Sequence, residues 1–167
     1  MAIAWGAKVS AEFRRKVIDL CEWLGADPSH LMAAMAFETG ETFSASVRNR
    51  ASGATGLIQF MPSTARSLGT TTDKLAAMTA EDQLDYVRKY FAPYRNKMTT
   101  LSDVYMAILW PAAVGKPEAA VLFRRPSRQY DQNSGLDTNR DGEVTKGEAA
   151  SKVQNKLARG LDASRRA

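Results

Sequence analysis

The chain has 167 residues, 44% of them hydrophobic and 25% charged, which suits one folded domain with a proper core and excludes a disordered chain. Its 23 Lys and Arg against 18 Asp and Glu give a formal charge of +5, favouring acidic partners such as nucleic acid, an anionic membrane or an acidic glycan. One cysteine and one histidine exclude an internal disulfide and a His/Cys zinc cluster, and no apolar run approaches the roughly 18 residues of a membrane span.

The opening "MAIAWGAKVSAEFRRK" has no basic segment leading into an apolar block, so no secretory signal is expected and action outside the cytoplasm needs another export route. Residues 10 to 24 carry a helical period, with Ser10 as N-cap and Gly25 as terminator. Within it Val17, Leu20, Cys21 and Leu24 share a face, which makes Cys21 a small core residue. Asp27 caps a second helix with Pro28 at its first position, and that helix stops at Thr39-Gly40. His30, at its start, has no paired serine or cysteine motif and is not expected to be catalytic. Residues 41 to 60 are irregular, with room for a short strand or hairpin, and Pro62 opens a short helix. Thr79 with Asp82, and Thr100 with Asp103, read as capping boxes before two further helices, the second ended by Pro111. A short apolar piece, "EAAVLF", a polar segment and a last helix from about residue 146 to 160 complete a mainly helical chain.

One residue breaks the apolar pattern. On the second helix Leu31, Ala34, Met35 and Glu38 fall at i, i+3, i+4 and i+7, so Glu38 shares the face expected to be buried. Burial disfavours the carboxylate, and so does the negative end of the helix dipole. A glutamic acid kept protonated near neutral pH is what glycosidic cleavage needs, because the leaving oxygen must receive a proton as the bond breaks. The competing reading is a last-turn glutamate that reaches solvent or bonds the following loop.

"ETG" at Glu38, followed by "SGATGLIQFMPSTA" at residues 52 to 65, resembles the signature of the soluble lytic transglycosylases, whose fold is related to goose-type lysozyme. The resemblance covers roughly residues 12 to 130, and residues 34 to 69 carry nearly all of it. It implies a mainly α, lysozyme-like domain over residues 1–130, with a small irregular or β-hairpin segment. It also implies cleavage of the β-1,4 bond between N-acetylmuramic acid and N-acetylglucosamine in bacterial peptidoglycan. By residue-wise carry-over Glu38 is the acid/base, and Gln59 and Met61 line the saccharide cleft. Gln59 offers a donor and an acceptor to sugar hydroxyls, and Met61 an adaptable apolar surface. Ser52 and Asn49 both lie near the family's serine, and spacing does not choose between them. The family's later "AYNAG" block is represented by "MAILWPAAVGKP", with Trp110 where the tyrosine stands and Pro111 in place of the asparagine. That departure looks more like the phage-encoded branch, the endolysins and virion-associated lysins. Tyr130 is the candidate for the last substrate-facing tyrosine, and for both Tyr130 and Trp110 core packing is the alternative.

Hydrolysis normally uses two carboxylates across the scissile bond. Glu41 is the obvious second candidate, with an exposed loop glutamate as the plainer description. If Glu38 works alone, the expected product is a 1,6-anhydro sugar, in preference to lysozyme-type hydrolysis.

"DTNRDGEVTKGE", residues 137 to 148, fits the EF-hand loop pattern over its whole length. Asp137, Asn139 and Asp141 take the first three ligand positions, Glu143 supplies a backbone carbonyl, Thr145 a hydroxyl or a bridging water, and Glu148 closes the loop. The expected ion is Ca2+ in a structural role, and the alternative is an Asp/Asn/Gly turn capping the last helix. Residues 131–167 thus read as a calcium loop and a helix packed on the main domain, with contact to an anionic envelope as a weaker possibility. The expected partner is peptidoglycan, met by a monomer. Nucleic acid is set aside because the basic residues lack interleaved aromatics. From another class, a glycan-binding calcium module without catalysis stays open, as does a hydrolytic muramidase.

Overall fold

Local chemistry places most of the helices. In the computed structural model, which describes residues 1–167, Ser10 caps helix α1 (Ala11–Leu24) by accepting from the Phe13 amide at 3.0 Å. Gly25 ends that helix in the left-handed conformation. Asp27 caps α2 (Pro28–Glu38) through the Ser29 amide at 2.8 Å, with Pro28 at the first position. Short helices α3 (Pro62–Ser67) and α4 (Thr72–Ala76) lead to α5 (Ala80–Phe91). Thr79 makes only half of its expected box, accepting from the Asp82 amide at 3.1 Å. The box at α6 (Leu101–Leu109) is complete. Two helices, α4 and α7 (Arg128–Asn133), arise where none is expected from the sequence, being too short to show a period, and each is started by a hydroxyl cap, Thr71 and Ser127.

The chain is mainly α, with 54% of its residues helical and one two-stranded antiparallel sheet. That sheet does not lie between residues 41 and 60, where the only pairings are isolated bridges, Arg48 with Thr55 and Thr55 with Phe60. It joins β1 (Val121–Arg124), the piece read as apolar, to β2 (Glu143–Thr145) inside the loop of residues 137 to 148. The reason is local: Phe123 and Val144, both buried, face the core from adjacent strands, which a four-residue segment cannot announce by alternation alone.

Helix α2 is the axis. Leu31 through Ala36 are all buried, so the helix has no solvent face for most of its length, a pattern of fully enclosed helices. Helices α1, α6 and the last helix, α8 (Lys146–Gly160), pack around it. One cluster of 36 buried residues runs from Ile3 to Val153, so β2 and α8 share the core of the preceding residues. Cys21 lies in it, fully buried, and burial pushes its thiol up to about 12. No helix is long and apolar enough to cross a membrane.

Helix α8 is fastened at both ends. At its start Lys146, 1% exposed, extends its ammonium to Asp103 Oδ1 at 2.5 Å and to the Lys116 carbonyl at 2.7 Å. Asp103 also accepts from the amides of Thr99, Thr100 and Gly115. Burial would raise the Asp103 carboxyl, but the Lys146 hydrogen bond and the amides hold it below the usual carboxylate range. In the helix's later turns Lys156 and Arg159 turn inward to the loop that follows α2.

Candidate active site

Glu38 ends α2. Its carboxyl makes no hydrogen bond to the rest of the protein, and burial raises it from an ordinary 4.5 to about 7. Half-buried and without a hydrogen-bonding partner, the carboxylate is the unfavourable form, so the group keeps its proton near neutral pH. The cause is burial rather than one greasy face, since α2 is enclosed on all sides up to Ala36.

Two tyrosines share this environment, and neither was singled out from the sequence. Tyr105 on α6 packs edge-on to Phe37, with ring centroids 5.6 Å apart. Tyr90 on α5 donates to the Ala107 carbonyl at 2.6 Å. Burial pushes the Tyr90 hydroxyl up to about 12, Tyr94 and Glu38 adding to the effect; Tyr105 is raised by burial and then by the Glu38 charge. Both rings therefore lie within electrostatic reach of Glu38 and stay protonated donors.

Tyr90 links Glu38 to the glycine-rich block. Its ring meets Phe60 edge-on, centroids 6.3 Å apart. With Gln59, Met61, Thr64 and Ile108 it lines a small pocket of about 60 Å3. Met61 is 44% exposed at the start of α3, an apolar surface open to a ligand. Gln59 has a left-handed backbone, φ 54°, a conformation that costs an ordinary residue energy and marks functional loops. Its amide nitrogen donates to the carbonyls of Val47 and Gly56 at 3.2 and 3.1 Å. The donor expected for a sugar is thus spent on the fold, which leaves Gln59 Oε1 as the acceptor.

The loop owes its shape to Gln83, a fully buried residue on α5 also missed in the sequence. Gln83 accepts from the Leu57 amide at 2.7 Å and donates to the carbonyls of Ala45 and Leu75. Gly56 makes room for it: a Cβ there would stand 2.2 Å from Gln83 Oε1. Asn49 and Ser52 belong to one exposed turn. Asn49 Oδ1 accepts from the amides of Ala51 and Ser52, and Ser52 Oγ from that of Ala54. They shape the hairpin-like approach to the block and are not drawn into the Tyr90 pocket.

Glu41 is neither an exposed loop residue nor a free second carboxylate. It sits at φ 68°, with its carboxylate bound to Lys156 Nζ at 2.6 Å and Arg159 Nε at 2.8 Å, and it is only 21% exposed. The hydrogen bond from Lys156 holds its carboxyl below the usual range. Trp110, 38% exposed at the end of α6, rests edge-on against Phe123 at 5.0 Å. Tyr130 takes the packing position that the sequence left as its alternative. It is 2% exposed under the Arg125 guanidinium, and its hydroxyl donates to Asp137 at 2.6 Å, apart from the Met61 pocket.

Tyr130 instead braces the loop of residues 137 to 148. Asp137 accepts from the amides of Asp141 and Gly142, Asn139 from that of Asp141, and Asp141 from that of Glu143. Glu148 Oε1 accepts from the Thr145 hydroxyl and Oε2 from the Thr138 amide. Gly142 supplies the sharp turn at φ 88°. The oxygens of Asp137, Asn139, Asp141, the Glu143 carbonyl and Glu148 are thus a hard, all-oxygen donor set on a closed loop, which suits calcium. In this conformation the carboxylates are turned to backbone amides, and no three acidic, His or Cys side chains form a cluster that holds a metal. His30 is half-buried with Nδ1 unpartnered, and burial lowers its pKa.

No protein-family model matches the chain, and no curated protein matches its sequence.

Proposed function

We propose that the protein is a lytic transglycosylase that cuts the glycan strands of bacterial peptidoglycan at the β-1,4 bond between N-acetylmuramic acid and N-acetylglucosamine. The observation that carries this reading is Glu38: a solitary carboxyl at a helix end, unbonded to protein and held protonated up to about pH 7 by burial. In the reaction Glu38 gives its proton to the bridging oxygen, which departs as the 4-hydroxyl of N-acetylglucosamine. The resulting carboxylate takes the proton of the muramoyl 6-hydroxyl as that oxygen bonds to C1. The bond count balances, no water enters, and Glu38 is restored.

The engagement of Glu41 by Lys156 and Arg159 favours this route over hydrolysis, which needs a second free carboxylate. Met61, Tyr90 and Gln59 Oε1 form the wall for the sugar rings. The loop of residues 137 to 148 is proposed to hold Ca2+ through Asp137, Asn139, Asp141, the Glu143 carbonyl and Glu148, where the ion would stiffen the start of α8. The lysozyme-like fold, the phage origin and action on the wall at lysis or entry belong to the same proposal.

Mass spectrometry of digested sacculi tests it. Released muropeptides should end in 1,6-anhydro rings, one water lighter than hydrolysed ends, and Glu38→Gln should release none. Reducing ends would overturn the transglycosylase assignment in favour of a muramidase. No release at all would leave a non-catalytic glycan-binding module.

A further inference from the structure

Just beyond Glu38 the chain makes a turn that it could not hold alone. Glu41 and Phe43 both have left-handed backbones, φ 68° and 50°, a conformation that residues other than glycine rarely adopt. The turn closes α2. The Glu41 amide donates to the Ala36 carbonyl at 2.7 Å and the Thr39 hydroxyl to that of Met35 at 2.7 Å, while Thr39 Oγ1 accepts from the Phe43 amide at 3.0 Å. Such residues persist only where their surroundings over-determine them, and they cluster at working sites.

The surroundings come from the two ends of the chain. Phe43, 5% exposed, packs its ring against Phe13 and Trp5, with centroids 6.2 and 6.3 Å away. Trp5 donates its indole N–H to the Lys156 carbonyl at 2.9 Å and lies against Gly160, where a Cβ would come within 2.3 Å of Nε1. Lys156, so placed, turns its ammonium to Glu41 Oε1, and Arg159 Nε meets the same oxygen. Both short contacts therefore converge on one acceptor atom. The other oxygen, Oε2, receives only a longer bond, 3.3 Å from Arg159 Nη2.

No charge passes from this cluster to Glu38. Burial is the whole cause of its raised carboxyl, and the titratable groups in electrostatic reach of it are Tyr90 on α5 and Tyr105 on α6, both held protonated. Lys156 and Arg159 on α8 are engaged by Glu41, and α1 brings no charged group to bear. What the cluster can set is where the last turn of α2 lies, and so how far Glu38 is withdrawn from water.

We propose that Glu41 is a positioning residue for the reaction: gripped by Lys156 and Arg159, it fixes the turn after α2 and keeps the Glu38 carboxyl half out of water at the scissile bond. This rests on the glycan-cleaving reading above. Helix α8 then serves the acid as well as the core.

The test follows the Glu38 carboxyl across pH in the free protein, by NMR of carboxyl-labelled glutamate with the signal assigned by its absence from Glu38→Gln, beside initial rates of cleavage over the same range. In Glu41→Ala the midpoint should fall by about half to one pH unit, toward that of a solvated carboxyl, and the alkaline limb of the rate should move with it. Glu41→Gly, which also relieves the left-handed backbone, should fall as far. Glu41→Gln removes the charge but keeps one oxygen for both cations, and should titrate as the wild type does. Asp85→Ala, which breaks the Lys16 ion pair between α1 and α5, should leave the midpoint in place. An unmoved midpoint in Glu41→Ala and Glu41→Gly overturns the proposal. A shift in Glu41→Gln as large as in Glu41→Ala overturns it in favour of a plain charge effect, and an equal shift in Asp85→Ala in favour of general loosening. If the wild type cuts no strand, the transglycosylase reading fails, and the NMR midpoints still decide the clamp.

Discussion

Replacing Glu38 with glutamine should stabilise the protein, and by an amount that depends on pH in a defined way. In the folded chain burial lifts this carboxyl from 4.5 to about 7. At roughly 1.4 kcal/mol per pH unit, that displacement corresponds to about 3 kcal/mol. Between these values the folded protein binds the proton and the unfolded chain does not. The favourable contribution of the protonated acid is therefore complete below pH 4.5 and is lost as pH rises through 7. Glutamine keeps the shape and never ionises. Urea unfolding of both proteins at pH 4.5, 6 and 8 should show the glutamine form gaining from near zero to about 3 kcal/mol relative to wild type, with unchanged m-values. Other titrating groups cancel in the difference. Two curves running parallel across this range would falsify the claim that burial holds Glu38 protonated, and with it the source of the catalytic proton.

Cleavage of peptidoglycan should fall on the alkaline side as the Glu38 carboxyl loses its proton near pH 7, read from initial rates across pH. Glu41→Gln should keep the anhydro product while lowering stability by no more than about 1 kcal/mol, since its partners are partly exposed and screened; a switch in product mass would give Glu41 a chemical role. Lys146→Met should cost about 3–5 kcal/mol in urea unfolding, because it strands the buried Asp103 carboxylate. Calcium should raise the melting temperature of the wild type and leave Asp137→Ala unmoved, and isothermal titration should find one site.

What the sequence disclosed is the short-range part. The Ser10, Asp27 and Thr100 caps and the Gly25 terminator are each decided within four residues, and Glu38 betrays itself by interrupting an apolar helix. The site's other walls arrive from far along the chain. Tyr90 and Tyr105 come from α5 and α6, where aromatic residues at helical spacing look like any core. Gln83 reads as a polar position in an exposed helix until the Leu57 amide is seen to need it. Glu41 looks free because its Lys156 partner is 115 residues away. Asp103 satisfies a capping pattern on its own, so nothing local reports the lysine it also neutralises. Tyr130 misleads in the opposite direction: a tyrosine in a polar segment suggests exposure, yet it is folded under Arg125 to hold Asp137.

The lone thiol has a practical consequence. Cys21 is sealed in the core and held as the unreactive acid, so a sulfhydryl reagent meets it only when the whole core opens. Its alkylation rate is a built-in clock for global opening of the purified protein, with no probe to attach and no second cysteine in the chain to confuse the count.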